Sequence, residues 1–203
     1  MFLAAVVCTF HAVQAGEVKL TPQGLAIHAD AAGIHTLSYP RLLTGNDQGL
    51  TPENITIKVD GSGATMTYSP SGRLVIDRQA DGGWLFHFTE IPPDRVKFCF
   101  GIDFPVAVID EGAMWAFDGE PPKPFSAVKD QVRLHIANPA RFVFQEGKAG
   151  FAITYPQKTF TTLADQRVWG KKFFSLGHIF YFPGKKTVPE IDYSIKLATL
   201  PSP

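Results

Sequence analysis

Two tryptophans set among charges are the residues of this chain best suited to chemistry. Trp115 stands in Asp110-Glu111-Gly112-Ala113-Met114-Trp115-Ala116-Phe117-Asp118-Gly119-Glu120, with four carboxylates in eleven residues. A flat indole fits the C–H face of a pyranose, and carboxylates accept from its hydroxyls. Trp115, Asp118 and Glu120 therefore read as a sugar-binding set. Strand tryptophans are usually well buried, so the same residues also read as a core strand followed by solvated turn acids. The acids have the oxygen chemistry of a calcium site, but their spacing matches no calcium-loop motif. Beyond a structural Ca2+, no cofactor or metal is expected.

The second tryptophan lies in Arg167-Val168-Trp169-Gly170-Lys171-Lys172. An aromatic ring among cations suits a sugar bearing carboxylate or sulfate, because arginine binds such groups through two parallel hydrogen bonds. Arg167 and Trp169 are the candidates here. The competing reading is a hairpin edge kept soluble by its charges. Trp84, in phase with Phe86 and Phe88, reads as core.

Catalytic residues are not assignable by spacing. A polysaccharide lyase would need a base and a cation that neutralises a uronate. His87, His135, His178, Tyr155 and Tyr181 are candidate bases, with Arg95, Arg133 and Arg141 as candidate cations. His87 and His135 fall on the polar side of their strands, whereas His178 shares the phase of Phe174, Leu176, Phe180 and Phe182 and reads as a core histidine. No Gly-x-Ser-x-Gly is present, so a serine nucleophile is not indicated. Cys99 reads as a small core hydrophobe of a second layer or as a partly exposed thiol. Asn54-Ile55-Thr56 is a glycosylation sequon, relevant only in a eukaryotic secretory route.

The elements that must position these residues are strands. Ile55/Ile57/Val59, Phe86/Phe88, Val96/Phe98/Phe100, Val132/Leu134/Ile136, Phe142/Phe144 and Tyr193/Ile195/Leu197 all recur with period two. Successive strand side chains point to opposite faces, so this is the pattern of half-buried antiparallel strands. Asp60-Gly61-Ser62-Gly63, Ser69-Pro70-Ser71-Gly72 and Asp81-Gly82-Gly83 supply the turns of a meander. Further strands are expected at Ala107–Ile109 and Met114–Phe117. Phe173–Phe182, apolar on both faces, reads as a central strand covered on both sides. Three prolines between Glu120 and Phe125 favour extended backbone across 118–130. Gln14–Gly24 and Ala29–Gly33 are each given one helical turn. The count is about fourteen strands.

Composition narrows the class. A length of 203 residues with 45% hydrophobic residues suits one sandwich-sized domain. Seventeen phenylalanines imply an aromatic layer between two sheets, because phenylalanine buries no polar atom. Nineteen basic side chains against nineteen acidic ones leave no net field to attract nucleic acid. The apolar stretch Phe2–Phe10 is too short to span a membrane. With Val13-Gln14-Ala15 behind it, residues 1–15 read as a signal peptide lacking a basic n-region, leaving 16–203 as a single β-sandwich domain. One cysteine would then remain, too few for a disulfide.

The expectation is an exported (secreted or periplasmic) all-β, antiparallel β-sandwich of jelly-roll or super-sandwich type. By analogy of fold class, its expected role is carbohydrate binding within a polysaccharide-degrading system. The alternatives are a polysaccharide lyase or glycoside hydrolase, and a non-enzymatic cell-envelope or assembly protein. A groove carrying Tyr or His beside Arg or Lys would favour the enzyme. A flat aromatic patch would favour the assembly protein. The oligomeric state stays open.

Overall fold

A computed structural model describes residues 17–29, 33–49, 54–61, 63–110, 112–128, 133–147, 149–155, 157–183 and 189–200. The leader expected at 1–15 lies outside these residues. The first strands are β1 (Val18–Thr21), β2 (Gly24–Ala29), β3 (Gly33–Ser38) and β4 (Arg41–Leu43). The meander follows as β5 (Ile55–Asp60), β6 (Gly63–Tyr68), β7 (Arg73–Arg78) and β8 (Gly83–Thr89). Next come β9 (Lys97–Pro105), a short helix α1 (Val106–Asp110), β10 (Met114–Phe117) and the two-residue β11 (Lys123–Pro124). The chain closes with β12 (Arg133–Ala137), β13 (Arg141–Glu146), β14 (Ala149–Thr154), β15 (Phe160–Asp165), β16 (Phe173–Tyr181) and β17 (Glu190–Leu200).

These strands form three antiparallel sheets. One has nine strands in the order β11-β10-β13-β14-β17-β8-β7-β6-β5. A second has five, β12-β15-β16-β9-β4, and a third has three, β1-β2-β3. The phenylalanines explain why the first two face each other. Phe98 of β9 stacks on Phe88 of β8 at 4.6 Å and meets Tyr193 of β17 edge-on at 5.1 Å. Six residues further along β9, Phe104 stacks on Phe144 of β13 at 4.7 Å. One strand thus traverses several strands of the facing sheet, so the layers cross instead of running side by side. Phe86, Phe98, Phe142, Phe144 and Phe180 are all buried, as their phase requires.

The three-stranded sheet extends the five-stranded layer. Its β3 lies beside β9, where the Gly101 N–H donates to Ser38 Oγ at 3.0 Å. The chain then bends through Tyr39-Pro40 into β4, which pairs with β9 at Arg41↔Cys99. Tyr68 anchors the bend by donating its hydroxyl to the Pro40 carbonyl at 2.7 Å. Leu25, Ile27, His35 and Leu37 point inward and complete the core.

The strand reading holds for the meander and for most of the second half, but several expectations need correction. Within 118–130, expected to be extended throughout, Phe125–Val128 forms a 3-10 helix. Residues 18–21 of the supposed helical stretch Gln14–Gly24 form β1. In the other, Ala29 ends β2 and Gly33 opens β3, with 30–32 outside the described residues. β1 is only four residues long, too short for its alternation to register, and β2 and β3 are rich in glycine, alanine and histidine, which blurs theirs. Ala107–Ile109 is helical, because a four-residue apolar run carries no period that separates strand from helix. Among the described residues seventeen strands stand where about fourteen were expected, the difference lying mainly in β1–β4 and β11.

Candidate functional site

Trp115 is only 3% exposed. It sits in β10 between β11 and β13, paired with Lys123 and Phe144. Its indole N–H donates to the Pro124 carbonyl at 3.2 Å, and Phe117 packs against it at 5.9 Å. The ring therefore offers no face for a sugar. The acids beside it are also engaged. Asp118 Oδ1 accepts from the backbone N–H groups of Ala140 (2.6 Å) and Arg141 (2.8 Å), tying the β10–β11 turn to β13. Glu120 pairs with Lys123 at 2.5 Å. Among the described residues no three His, Cys, Asp or Glu side chains gather in a metal-binding group. The core-strand reading of this segment is the one its geometry supports.

Trp169 behaves oppositely. A 3-10 helix, Gln166–Trp169, carries it between β15 and β16 and leaves it 48% exposed. Asp165 caps that helix by accepting from the Arg167 N–H, and its carboxylate also receives the Arg167 guanidinium at 2.9 and 2.8 Å. These bonds hold the Asp165 carboxyl below the usual aspartate value. Arg167 is thus committed to structure. Its place over the tryptophan is taken by Arg133 of β12, 5.2 Å from the indole centroid.

The recess missed in the sequence lies on the outer face of the second layer. Inward positions of β9 and β16 are aromatic or aliphatic, so their outward positions form a separate surface. Register sets its rows: Arg133–Ala164–Ser175–Asp103, then His135–Thr162–Gly177–Gly101, then Ala137–Phe160–Ile179–Cys99–Arg41. Where β3 splays from β9, the β9 and β16 members of these rows, with Thr162, Arg41 and the outward side chains Ile34, Thr36 and Ser38, line a trough of about 720 Å³. Asp103, Ser175, Thr162 and Arg41 supply polar groups, while Ile34, Val108 and Ile179 supply apolar contact. Partial removal from water raises the Asp103 carboxyl above its ordinary value. Cys99 is a half-buried free thiol, its sulfur 3.7 Å from Arg41 Nη2. β16 is therefore central in its sheet, but only one of its faces lies in the core.

The trough floor carries two glycines with different reasons to be there. A Cβ on Gly101 would come within 2.6 Å of the Leu176 carbonyl oxygen, so the backbone itself demands glycine. At Gly177 the nearest atom to such a Cβ is 3.9 Å away, and φ lies outside the left-handed region. Nothing in the fold requires glycine there, and glycine weakens a strand. What it leaves is open floor.

The histidines separate along the same lines. His178 is fully buried, shares a 2.5 Å hydrogen bond with the Tyr155 hydroxyl, and has its pKa pushed down to about 3 by desolvation. His35, packed 4.8 Å from Phe144, is lowered to about 4 for the same reason. Both are neutral core residues. His135 is exposed at the trough's far side, its Nδ1 3.1 Å from Thr162 Oγ1. His87 lies on the outer face of the other sheet, between Asp192 (2.6 Å) and Glu190 (3.4 Å), and does not line the trough.

The trough is carried by Cys99/Gly101/Asp103 and Ser175/Gly177/Ile179, the residues of β9 and β16 that fall out of phase with their aromatic rows. Their joint position depends on the β9–β16 pairing across more than seventy residues, which periodicity does not reveal.

The sequence matches no family model and no curated protein. Solved structures do resemble the fold. An alpha-N-acetylgalactosaminidase, NagBb, from Bifidobacterium bifidum, solved with GalNAc, aligns with a TM-score of 0.54 at 8% identity over 94% of this chain. A GH31 family sulfoquinovosidase from E. rectale, in complex with the aza-sugar inhibitor IFGSQ, aligns with a TM-score of 0.47 at 7% identity over 90% of this chain. The chain spans about a third of each, 35% and 32% of their lengths.

Proposed function

We propose that this chain is an exported carbohydrate-binding β-sandwich, an accessory part of a polysaccharide-degrading system, and that it holds sugar in the trough between β3, β9 and β16. The observation that carries the reading is Gly177, a floor position kept bare where the fold has room for a side chain. Around it stand the mixed groups a sugar needs, apolar contact from Ile34 and Ile179 and hydrogen-bonding groups from Asp103, Ser175, Thr162 and Arg41. A fold-level likeness to part of a sugar-processing enzyme is compatible with this reading and supplies no site.

Binding is favoured over hydrolysis on chemical grounds. Most glycoside hydrolases use two carboxyl groups on opposite sides of the scissile bond. Among the described residues lining the trough, Asp103 alone carries one. The lyase reading draws support from the outer face, where exposed His135 and Arg133 stand on one strand. Product analysis on uronate polymers separates it from binding. A recess of this size speaks against the flat patch expected of an assembly protein.

The test is affinity-gel retardation against a panel of polysaccharides, with melting followed in parallel. Asp103→Ala should remove retardation while the melting temperature holds. Retardation that Asp103→Ala leaves untouched would move the site elsewhere. N-terminal sequencing of exported material should find Gly16 first, and an intact Met1 would sink the export reading.

A further inference from the structure

We infer that the stacked pair Arg133–Trp169 is a second subsite, selective for an anionic sugar unit, and that the ligand is an acidic polysaccharide spanning it and the trough. This rests on the trough reading above. Arg133 and Trp169 come from elements 36 residues apart and meet with the guanidinium over the indole at 5.2 Å. Among the described residues no carboxylate pairs with Arg133, whereas Arg167 beside it is neutralised by Asp165. Lys171 and Lys172 follow Trp169 in the chain, are exposed, and make no ion pair among the described residues. Val168 adds 55% exposed apolar surface. A corner that is mostly cationic among the described residues and carries an exposed ring is complementary to a flat ligand carrying negative charge. A neutral sugar would leave that charge unanswered.

The subsite is coupled to the trough by covalent and hydrogen-bonded connections. Gln166, in the same 3-10 helix as Trp169, donates to Ser175 Oγ at 2.5 Å, and Ser175 lines the trough. Arg133 lies in the same cross-strand row as Ser175, two strands away, which is about 10 Å at the usual strand spacing. A polymer with one unit against Gly177 therefore reaches Trp169 within a few units. A guanidinium offers carboxylate or sulfate two parallel N–H bonds, which lysine cannot reproduce.

The experiment uses affinity gels cast with polygalacturonate, with its fully methyl-esterified form, or with chondroitin sulfate, and a single-stranded oligonucleotide in a parallel binding assay. The wild type should be retarded by one of the acidic gels and at least tenfold less by the esterified one, with retardation falling as salt rises. Arg133→Gln and Trp169→Ala should each lose about tenfold of that binding, and Arg133→Lys should recover only part of it, all with unchanged melting. Retention on polygalacturonate identifies carboxylate; retention on chondroitin sulfate, which carries both groups, identifies sulfate only where unsulfated chondroitin fails to retain the protein. Equal retention on the esterified gel, no retention on any gel, unchanged binding by Arg133→Gln, or tighter binding of the oligonucleotide would each overturn the proposal. Loss of retention in Asp103→Ala but not in Arg133→Gln would overturn this subsite and leave the trough standing. The reverse would overturn the trough.

Discussion

Trp115 and Trp169 look alike in the sequence and differ completely in the fold. Each is an indole in a charged neighbourhood, and each could stack on a sugar. Trp115 belongs to a strand with neighbours on both sides, so its ring closes the core and its acids cap backbone and pair with lysine. Trp169 ends a 3-10 helix outside the sheets and stays half exposed, with a cation from another strand stacked over its ring. The charges around a tryptophan therefore say little. What decides is whether the segment extends as a paired strand or breaks away from the sheet.

The comparison is broken most easily at Trp115. Trp115→Ala should cost about 3–5 kcal/mol, the usual penalty for emptying a buried aromatic site, read as a large drop in melting temperature. A loss below about 1 kcal/mol would mean the ring is not a core element. Acid should act on the closed region next. His35 and His178 have folded pKa values near 4 and 3, below the 6.5 of a free imidazole, so the unfolded chain binds protons that the folded chain refuses. Their contribution is intact above about pH 6.5 and is lost as the pH falls toward 4, at about 1.4 kcal/mol per pH unit for each. Urea titrations across that window should show the slope. His35→Leu should remove about half of it, leaving the part that His178 contributes.

Asp118→Ala removes the acceptor for two backbone N–H groups and should cost about 1 kcal/mol, with glycan retention unaffected. A change in retention would return the acids beside Trp115 to the candidate site. The smallest expected effect on stability is that of Trp169→Ala, within about 0.5 kcal/mol, because an exposed ring adds little to the core. Its effect should appear in binding. A marked destabilisation would make Trp169 a structural residue, like its counterpart.

The same contrast shows what was legible in the chain. Phase along one strand was readable, and it located the buried phenylalanines, Trp84 and His178 correctly. Relations between strands were not. Arg133 reaching Trp169 depends on the β12–β15 pairing, and the row from Asp103 to Ser175 depends on β9 meeting β16, contacts set by long-range packing that local alternation does not encode. Arg167, adjacent in sequence to the exposed tryptophan segment, was the natural candidate for the anion. The capping demand of Asp165 takes it instead. Gly177 was hidden for another reason. A glycine required by backbone geometry and a glycine that leaves room look the same until the neighbouring strands are in place.

The most direct test is to fill the trough. Phenylalanine at position 177 should project from the floor without meeting backbone, since the first side-chain carbon there has no neighbour closer than 3.9 Å. Gly177→Phe should therefore melt close to the wild type and lose its retardation on whichever polysaccharide gel retains the wild type, with the amide resonances of Gly101, Asp103 and Ser175 no longer shifting on titration with that glycan. Undiminished retardation in a folded Gly177→Phe protein, or wild-type shifts centred away from these residues, would contradict the assignment of the trough as the carbohydrate site.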